Sequence, residues 1–279
     1  MNELITQAQI DIRARYFYLA SLIVFVICFL SNTLFSQLSQ PVLIDPGIDN
    51  TYWIFHWLGI PHAATHSTLW SAVLDMMLFF VPIAASMVSR RRGYAIVFTM
   101  IVLTYQITIS TYSMHHYHTL VGVLFLSIPF WFRGSRFAFT WEAARFYFFF
   151  MFSSAALWKV CRGSLLDTHQ MSNILMAQHA QYIYDYPDGL FTGLYSYLIS
   201  HYQASYVLLL SMAAIQLSYL GGFFTRKYDR IYLIVFILFT FLNYVVMHIN
   251  SAPLLIFILV LFDWDKIELK LSKSKTISG

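Results

Sequence analysis

Apolar blocks of about twenty residues alternate along this chain with short polar, basic segments. They fall at 16–35, 69–89, 94–112, 119–132, 137–160, 204–223, 231–246 and 253–262. About twenty helical residues, rising 1.5 Å each, cross the ~30 Å hydrocarbon core of a bilayer. The pattern therefore predicts an all-α polytopic membrane protein with about eight transmembrane helices. The fourth and eighth blocks are short, and each needs its flanks or a tilted neighbour to complete a crossing. The first block is too long for a signal-peptide core and has no small-x-small site before Pro41, so it reads as a retained span. A long segment, 161–203, separates the fifth and sixth blocks and is rich in Tyr, Gln, His and Asp. Its second half, 190–202, is aromatic enough either to lie in the membrane interface or to extend the sixth span.

Composition agrees with this picture. Hydrophobic residues make up 59% of the chain and charged residues only 11%, against about a quarter charged in soluble domains. The distribution of charge sets the expected orientation. Arg13 and Arg15 precede the first span, and Arg90, Arg91 and Arg92 follow the second. Arg133 and Arg136 lie between the fourth and fifth, with Arg145 early in the fifth. Arg226, Lys227 and Arg230 lie between the sixth and seventh, and Lys266, Lys270, Lys273 and Lys275 follow the eighth. Of the 17 Lys and Arg residues, all but Lys159 and Arg162 then share one side. By the positive-inside rule that side is the cytoplasm, so both termini are expected inside. The expected organisation is a cytoplasmic segment 1–15, a membrane domain 16–263 and a basic cytoplasmic tail 264–279. The net charge of +4 thus reports topology, and a nucleic-acid partner is not expected. Cys28 lies inside the first span, so no structural disulfide with Cys161 is expected.

The histidines show the opposite asymmetry. His56, His62 and His66 fall in the first outer loop, and His115, His116 and His118 in the second. His169, close to Asp167, falls in the third with His179 and His201, and His248 ends the seventh span. All ten histidines thus map to the outer face. Longer polar outer loops account for part of this, but not for the scarcity of Lys and Arg there. The close spacing of His115, His116 and His118, and of His62 and His66, is not a specific metal signature, and a metal is not expected. Two charges lie at membrane depth: Lys159 ends an almost wholly apolar helix, and Asp75 sits about two turns inside the outer end of the second span. A charge at such depth costs ~2.5–3.5 kcal/mol and usually faces protein or a cavity. The plain alternatives are that Lys159 snorkels to the interface and that Asp75 hydrogen-bonds a neighbouring helix. No P-loop, dinucleotide glycine fingerprint or serine-hydrolase elbow is present.

Three segments carry a resemblance: FFFMFSSAALWKVCRGSLLDTHQM at 148–171, SMHHYHTLVGVLFLSIP at 113–129 and FLNYVVMHINSAPLLIFILVLFD at 241–263. Together, and in this order, they resemble the HTTM (horizontally transferred transmembrane) proteins, bacterial relatives of the vitamin K-dependent gamma-carboxylases. The resemblance implies a bacterial inner-membrane protein with its active face on the periplasmic side. It implies a reduced, vitamin K-like quinone as cofactor, Lys159 as the base that deprotonates it, and His116 as the histidine that helps hold the oxidised intermediate. His115 or His118 could replace His116, because the match there slides by one or two residues. Asp75, Asp167, His169 and His248 complete the expected ligand-binding set. The large lumenal domain of the animal carboxylases has no counterpart here, which implies a protein partner that supplies it. The residues after Lys159, Val-Cys-Arg-Gly, depart from the family's pattern. Glutamate carboxylation is therefore not expected, while binding of a quinone or another lipid is.

Two other classes compete. A small-solute transporter or channel would use Asp75, Gln106, Gln216 and Asn243 as a polar path, yet no inverted repeat or pair of Gly/Pro-broken helices is evident. A membrane assembly protein would use its aromatic spans to pack against partners. Liposome flux separates the first from a quinone site; partner retention after changing Lys159 and His116 separates the second.

Overall fold

The computed structural model describes residues 5–37, 57–59, 67–87, 92–112, 120–247, 249, 251–264 and 266. These residues are helical throughout, with no strand among them. Every one of the eight apolar blocks coincides with a helix. Among the described residues, four helical segments are long and apolar enough to cross a membrane: Gln7–Leu30, Thr68–Met87, Tyr202–Phe223 and Asp229–Met247. The chain divides into two compact units, one formed by residues through Arg145 and from Ser251 onward, the other by Phe146–Ile249.

In the first unit, helix α1 (Gln7–Leu30) begins nine residues before its apolar block. The reason is a capping box: Thr6 Oγ1 accepts from the Gln9 N–H, and Gln9 Oε1 accepts from the Thr6 N–H. Arg13 and Arg15 are thus inside the helix rather than ahead of it. α1 stops at Leu30, five residues short of the block's end, because Asn32 turns left-handed with φ 54°. The Asn32 N–H then reaches the Phe29 carbonyl, and the Thr33 N–H the Cys28 carbonyl. This is a Schellman ending with Asn in the position Gly usually takes.

The buried positions of α1 are Ile10, Arg13, Ala14, Phe17, Tyr18, Ser21, Val24, Phe25 and Cys28, one stripe at three- and four-residue spacing. It packs against α2 (Thr68–Met87), whose own stripe is Ser71, Asp75, Leu78, Pro82 and Ala85. α3 (Arg92–Tyr112) adds Phe98, Val102 and Tyr105 to the same core. Phe17 lies between Phe130 and Phe98, with centroids 5.1 and 5.8 Å away.

The two short apolar blocks are short helices that mix α and 3₁₀ geometry. α4 (Val121–Ser127) runs into a 3₁₀ turn at Ile128–Trp131, and the last block is a 3₁₀ turn at Ala252–Phe257 followed by a short helix, Ile258–Leu261. They pack on each other through Gly122, where a Cβ would lie 2.8 Å from Ile256 Cγ2. Lipid tails are as apolar as leucine, so such close contact, rather than exclusion of water, holds membrane helices together. Trp264, expected to begin the basic tail, instead belongs to this core. Its Nε1 donates to the Leu259 carbonyl at 2.8 Å, and its ring flanks the buried Arg13 guanidinium together with Trp141.

The second unit takes over α5 (Gly134–Cys161) from Phe146 onward and adds α6 (Gln170–Asp185), α7 (Leu190–Ser200), α8 (Tyr202–Ser218) with a 3₁₀ extension, Tyr219–Phe223, and α9 (Asp229–Met247). Its core is aromatic. Phe148, Phe149 and Phe152 of α5 meet Tyr219, Phe223, Tyr232 and Phe236 edge-on or tilted at 5.0–6.1 Å. Gly222 is required here, because a Cβ would stand 2.1 Å from the Phe149 ring. Segment 190–202 does not extend the sixth span: the chain breaks at His201, with φ −107° and ψ 75°, and α7 is a separate helix.

Candidate functional site

The buried stripe of α5 in the second unit runs through Phe148, Phe149, Phe152 and Ala156. The next position on that stripe is Lys159. The helix closes immediately afterwards in a Schellman motif: the Gly163 N–H donates to the Val160 carbonyl and the Ser164 N–H to the Lys159 carbonyl, with Gly163 at φ 70°. The backbone of Lys159 is therefore tied at a helix terminus while its side chain points into the unit.

Lys159 is half-buried, and its Nζ donates to Gln216 Oε1 at 2.8 Å. Gln216 occupies the corresponding place on α8, continuing the buried stripe of Ser205, Leu209 and Ala213. Two other contacts set the antiparallel register of these helices: Tyr206 Oη donates to the Leu165 carbonyl at 2.8 Å, and Phe152 stacks on Tyr219 at 5.2 Å. On that register Lys159 is level with Met212, and Gln216 lies one turn further toward Tyr219. The amine thus reaches back along α5 toward the aromatic core rather than snorkelling outward. Side chains on a helix lean toward its N-terminus, which favours this direction. Among the described residues Lys159 forms no ion pair. Arg162, the other basic residue in this stretch, lies over the Trp158 ring at 4.4 Å.

Asp75 belongs to the first unit and is occupied differently. Its two carboxylate oxygens accept the backbone N–H groups of Phe35 (3.2 Å) and Ser36 (2.8 Å), in the turn that follows α1. The expected hydrogen bond to a neighbouring helix is thus a double one, to the turn after a helix. The turn so bonded carries Phe35, whose ring stacks on that of Tyr105 at 3.8 Å with a 2° interplanar angle.

Asp167 and His169 build the start of α6. Asp167 Oδ1 accepts the His169 N–H at 2.9 Å, its carbonyl accepts from Gln170, and the His169 ring stacks on Tyr202 at 4.2 Å. Asp167 is exposed and its carboxylate serves this turn. His115, His116, His118 and His248 lie outside the described residues, as do His56, His62 and His66.

Two features of the second unit escaped the sequence reading. Gln216 was expected only as part of a solute path, and its role as partner of Lys159 depends on the register of α5 against α8. The other is a clamp on the end of α9. There the Tyr195 Oη donates to the Val245 carbonyl at 2.9 Å, and His179 Nε2 lies 2.8 Å from the Val246 carbonyl. Both rings are buried and stack at 3.8 Å. The last carbonyls of a helix have no partner within it, so this pair satisfies α9 and fastens α6 and α7 to it.

The hydrogen-bonding capacity of the Lys159 site is unequal. A lysine amine offers three donors when charged, and among the described residues one is used, by a neutral amide. An acceptor such as a carbonyl or phenolic oxygen could take another. No protein-family model, curated protein or solved structure matches the chain.

Proposed function

We propose that the chain is a bacterial inner-membrane protein of about eight spans with both termini in the cytoplasm. On this reading Lys159 and Gln216 form the polar centre of a site for a lipophilic, quinone-like ligand in the periplasmic half of the bilayer. The observation that carries the reading is the Lys159 amine: half-buried, turned toward an aromatic core, and held, among the described residues, by one neutral amide. A lysine within the membrane usually pairs with a carboxylate or backbone carbonyls or reaches the interface, and here the partner is a neutral side-chain amide. A carbonyl of an oxidised quinone accepts a hydrogen bond from such an amine, and the hydroxyl of a reduced one donates a proton to it when the amine is neutral. The aromatic walls next to it, Phe152 and Tyr219, suit a flat ring.

The eight-span topology is supported by the coincidence of every apolar block with a helix and by the alternation of basic segments. The likeness to the HTTM proteins rests on the three segments quoted above and supplies the quinone as the ligand class. Lys159 as base and His116 as a second contributor follow from that likeness.

Native mass spectrometry of the purified protein tests it, with Lys159→Met beside the parent chain. A co-purifying quinone present in the parent and lost in the variant is the expected result. A quinone retained equally by both would remove Lys159 from the site. Its absence from both would turn attention to transport or assembly, for which liposome flux and partner retention are the next measurements.

A further inference from the structure

Helix α7 is anomalous among the elements of the second unit. From Gly189 to Thr225 the chain contains no Asp, Glu, Lys or Arg. An uncharged run of that length could extend one crossing helix well beyond α8, yet the chain breaks at His201 and sets its first part aside as α7. With 11 residues, α7 is roughly 16 Å long, about half of what a crossing requires. It is nevertheless apolar on two faces. Thr192, Tyr195 and Leu198 are buried against the unit. On the other side Leu190, Leu194 and Tyr197, spaced four and three apart, are 88%, 38% and 53% exposed. Hydrophobic surface of this kind left in water is unfavourable by about 25 cal/mol per Å².

Its position says what covers it. α7 is separated by one residue from the start of α8, and Tyr195 fastens it to the Val245 carbonyl at the last turn of α9. It therefore sits where one membrane-length helix begins and another ends. Tyrosines gather there: Tyr184, Tyr186 and Tyr197 are exposed around it, and tyrosine favours the level of the lipid headgroups.

We infer that α7 is an interfacial helix, lying in the plane of the membrane at the headgroup–acyl boundary, with Leu190, Leu194 and Tyr197 directed into the lipid. The partner of this surface is the bilayer itself. The inference rests on α8 and α9 crossing the membrane and is independent of any ligand at Lys159.

Site-directed spin labelling tests it. A nitroxide is placed at Leu194→Cys, with Cys28→Ala and Cys161→Ser removing the native thiols, and the full chain is reconstituted in vesicles of phosphatidylcholine and phosphatidylglycerol. Collision with oxygen, which partitions into lipid, is compared with collision with a water-soluble nickel chelate. Labels at Ile234→Cys on the exposed face of α9 and at Asp188→Cys just ahead of α7 mark hydrocarbon and water. The expected oxygen-to-nickel ratio at Leu194 is several-fold above that at Asp188 and below that at Ile234. Tyr197→Cys should give the same ranking, which guards against a misfolded Leu194 variant. Nickel access equal to that at Asp188 would place α7 in water and overturn the inference. Shielding from both reagents would mean that protein covers the face, and would overturn it equally. An aqueous reading at Ile234 would remove the premise that α9 crosses, and the inference with it.

Discussion

α1 and α5 end in the same way, and each ending lies near an ionisable side chain, Asp75 or Lys159, yet the two side chains are treated oppositely. At α1 the left-handed residue is Asn32 and at α5 it is Gly163; in both, two backbone N–H groups return to carbonyls of the last turn. Asp75 sends both carboxylate oxygens into the turn after α1, where two N–H groups meet them. Lys159 sends its amine away from its own turn to a single amide on α8. Among the described residues, the first side chain has both oxygens engaged by the turn, and the second has one donor engaged. A buried charge is therefore no guide to function until its partners are counted, and on that count Lys159 is the better candidate of the two.

The largest effect that would break this comparison is at Asp75. Asp75→Ala leaves the buried Phe35 N–H without its acceptor, at roughly 1–3 kcal/mol, while the Ser36 N–H, on an exposed residue, can turn to solvent. The expected loss is about 2 kcal/mol, read as a lowered midpoint of thermal unfolding in detergent. Asp75→Asn keeps one acceptor oxygen and should fall between Ala and the parent. Parent-like stability in Asp75→Ala would mean that its carboxylate does not support the turn, and would return Asp75 to the list of ligand-binding candidates.

The two endings supply a smaller test. A Cβ at Gly163 would meet only Leu166 Cδ1, at 3.9 Å, so Gly163→Ala is opposed by backbone conformation rather than by crowding. Forcing alanine to a positive φ costs about 1 kcal/mol. Asn32→Ala should cost a similar amount, and Asn32→Gly nothing. The contrast lies in the ligand: Gly163→Ala disturbs the turn that anchors Lys159 and should reduce quinone retention, while Asn32→Ala should leave it unchanged. Equal retention in both variants would separate the α5 ending from the site.

These particulars also show where the sequence was legible. Block lengths located α1–α5, α8, α9 and the short last helix, because long apolar runs are local information, but they gave no sign of α6 or α7 within 161–203. The limits of α1 were written in short motifs that hydropathy overlooks: Thr-x-x-Gln at positions 6–9 starts the helix early, and Asn32 stops it early. The break at His201 has no comparable signature, since apolar residues flank it on both sides. Depth marked Lys159 and Asp75 as unusual, and depth is again local. What distinguishes them is the identity of their partners: Gln216 is 57 positions away and Ser36 is 39. Those pairings arise from helix register, which no spacing along one helix encodes. The same holds for the His179–Tyr195 clamp on α9.

The smallest expected effect gives the sharpest comparison, because it measures how strongly Lys159 is engaged. In a double-mutant cycle of Lys159→Met and Gln216→Leu, the coupling should be about 0.6 kcal/mol, typical of hydrogen bonds between membrane helices. Lys159→Met alone leaves the Gln216 carbonyl without its donor, and Gln216→Leu alone leaves the amine without its acceptor. The double variant, with two apolar side chains meeting between α5 and α8, should recover much of the stability lost by either. Quinone retention should follow a different order: lost in both variants that lack the amine, and reduced but present in Gln216→Leu, where the amine remains. Stability and retention would then respond to different members of the same pair. That divergence is what a side chain kept for binding predicts, and a purely structural hydrogen bond would make the two measurements move together. A coupling well above 2 kcal/mol would place Lys159 beside Asp75, as a charge whose partners have already used it.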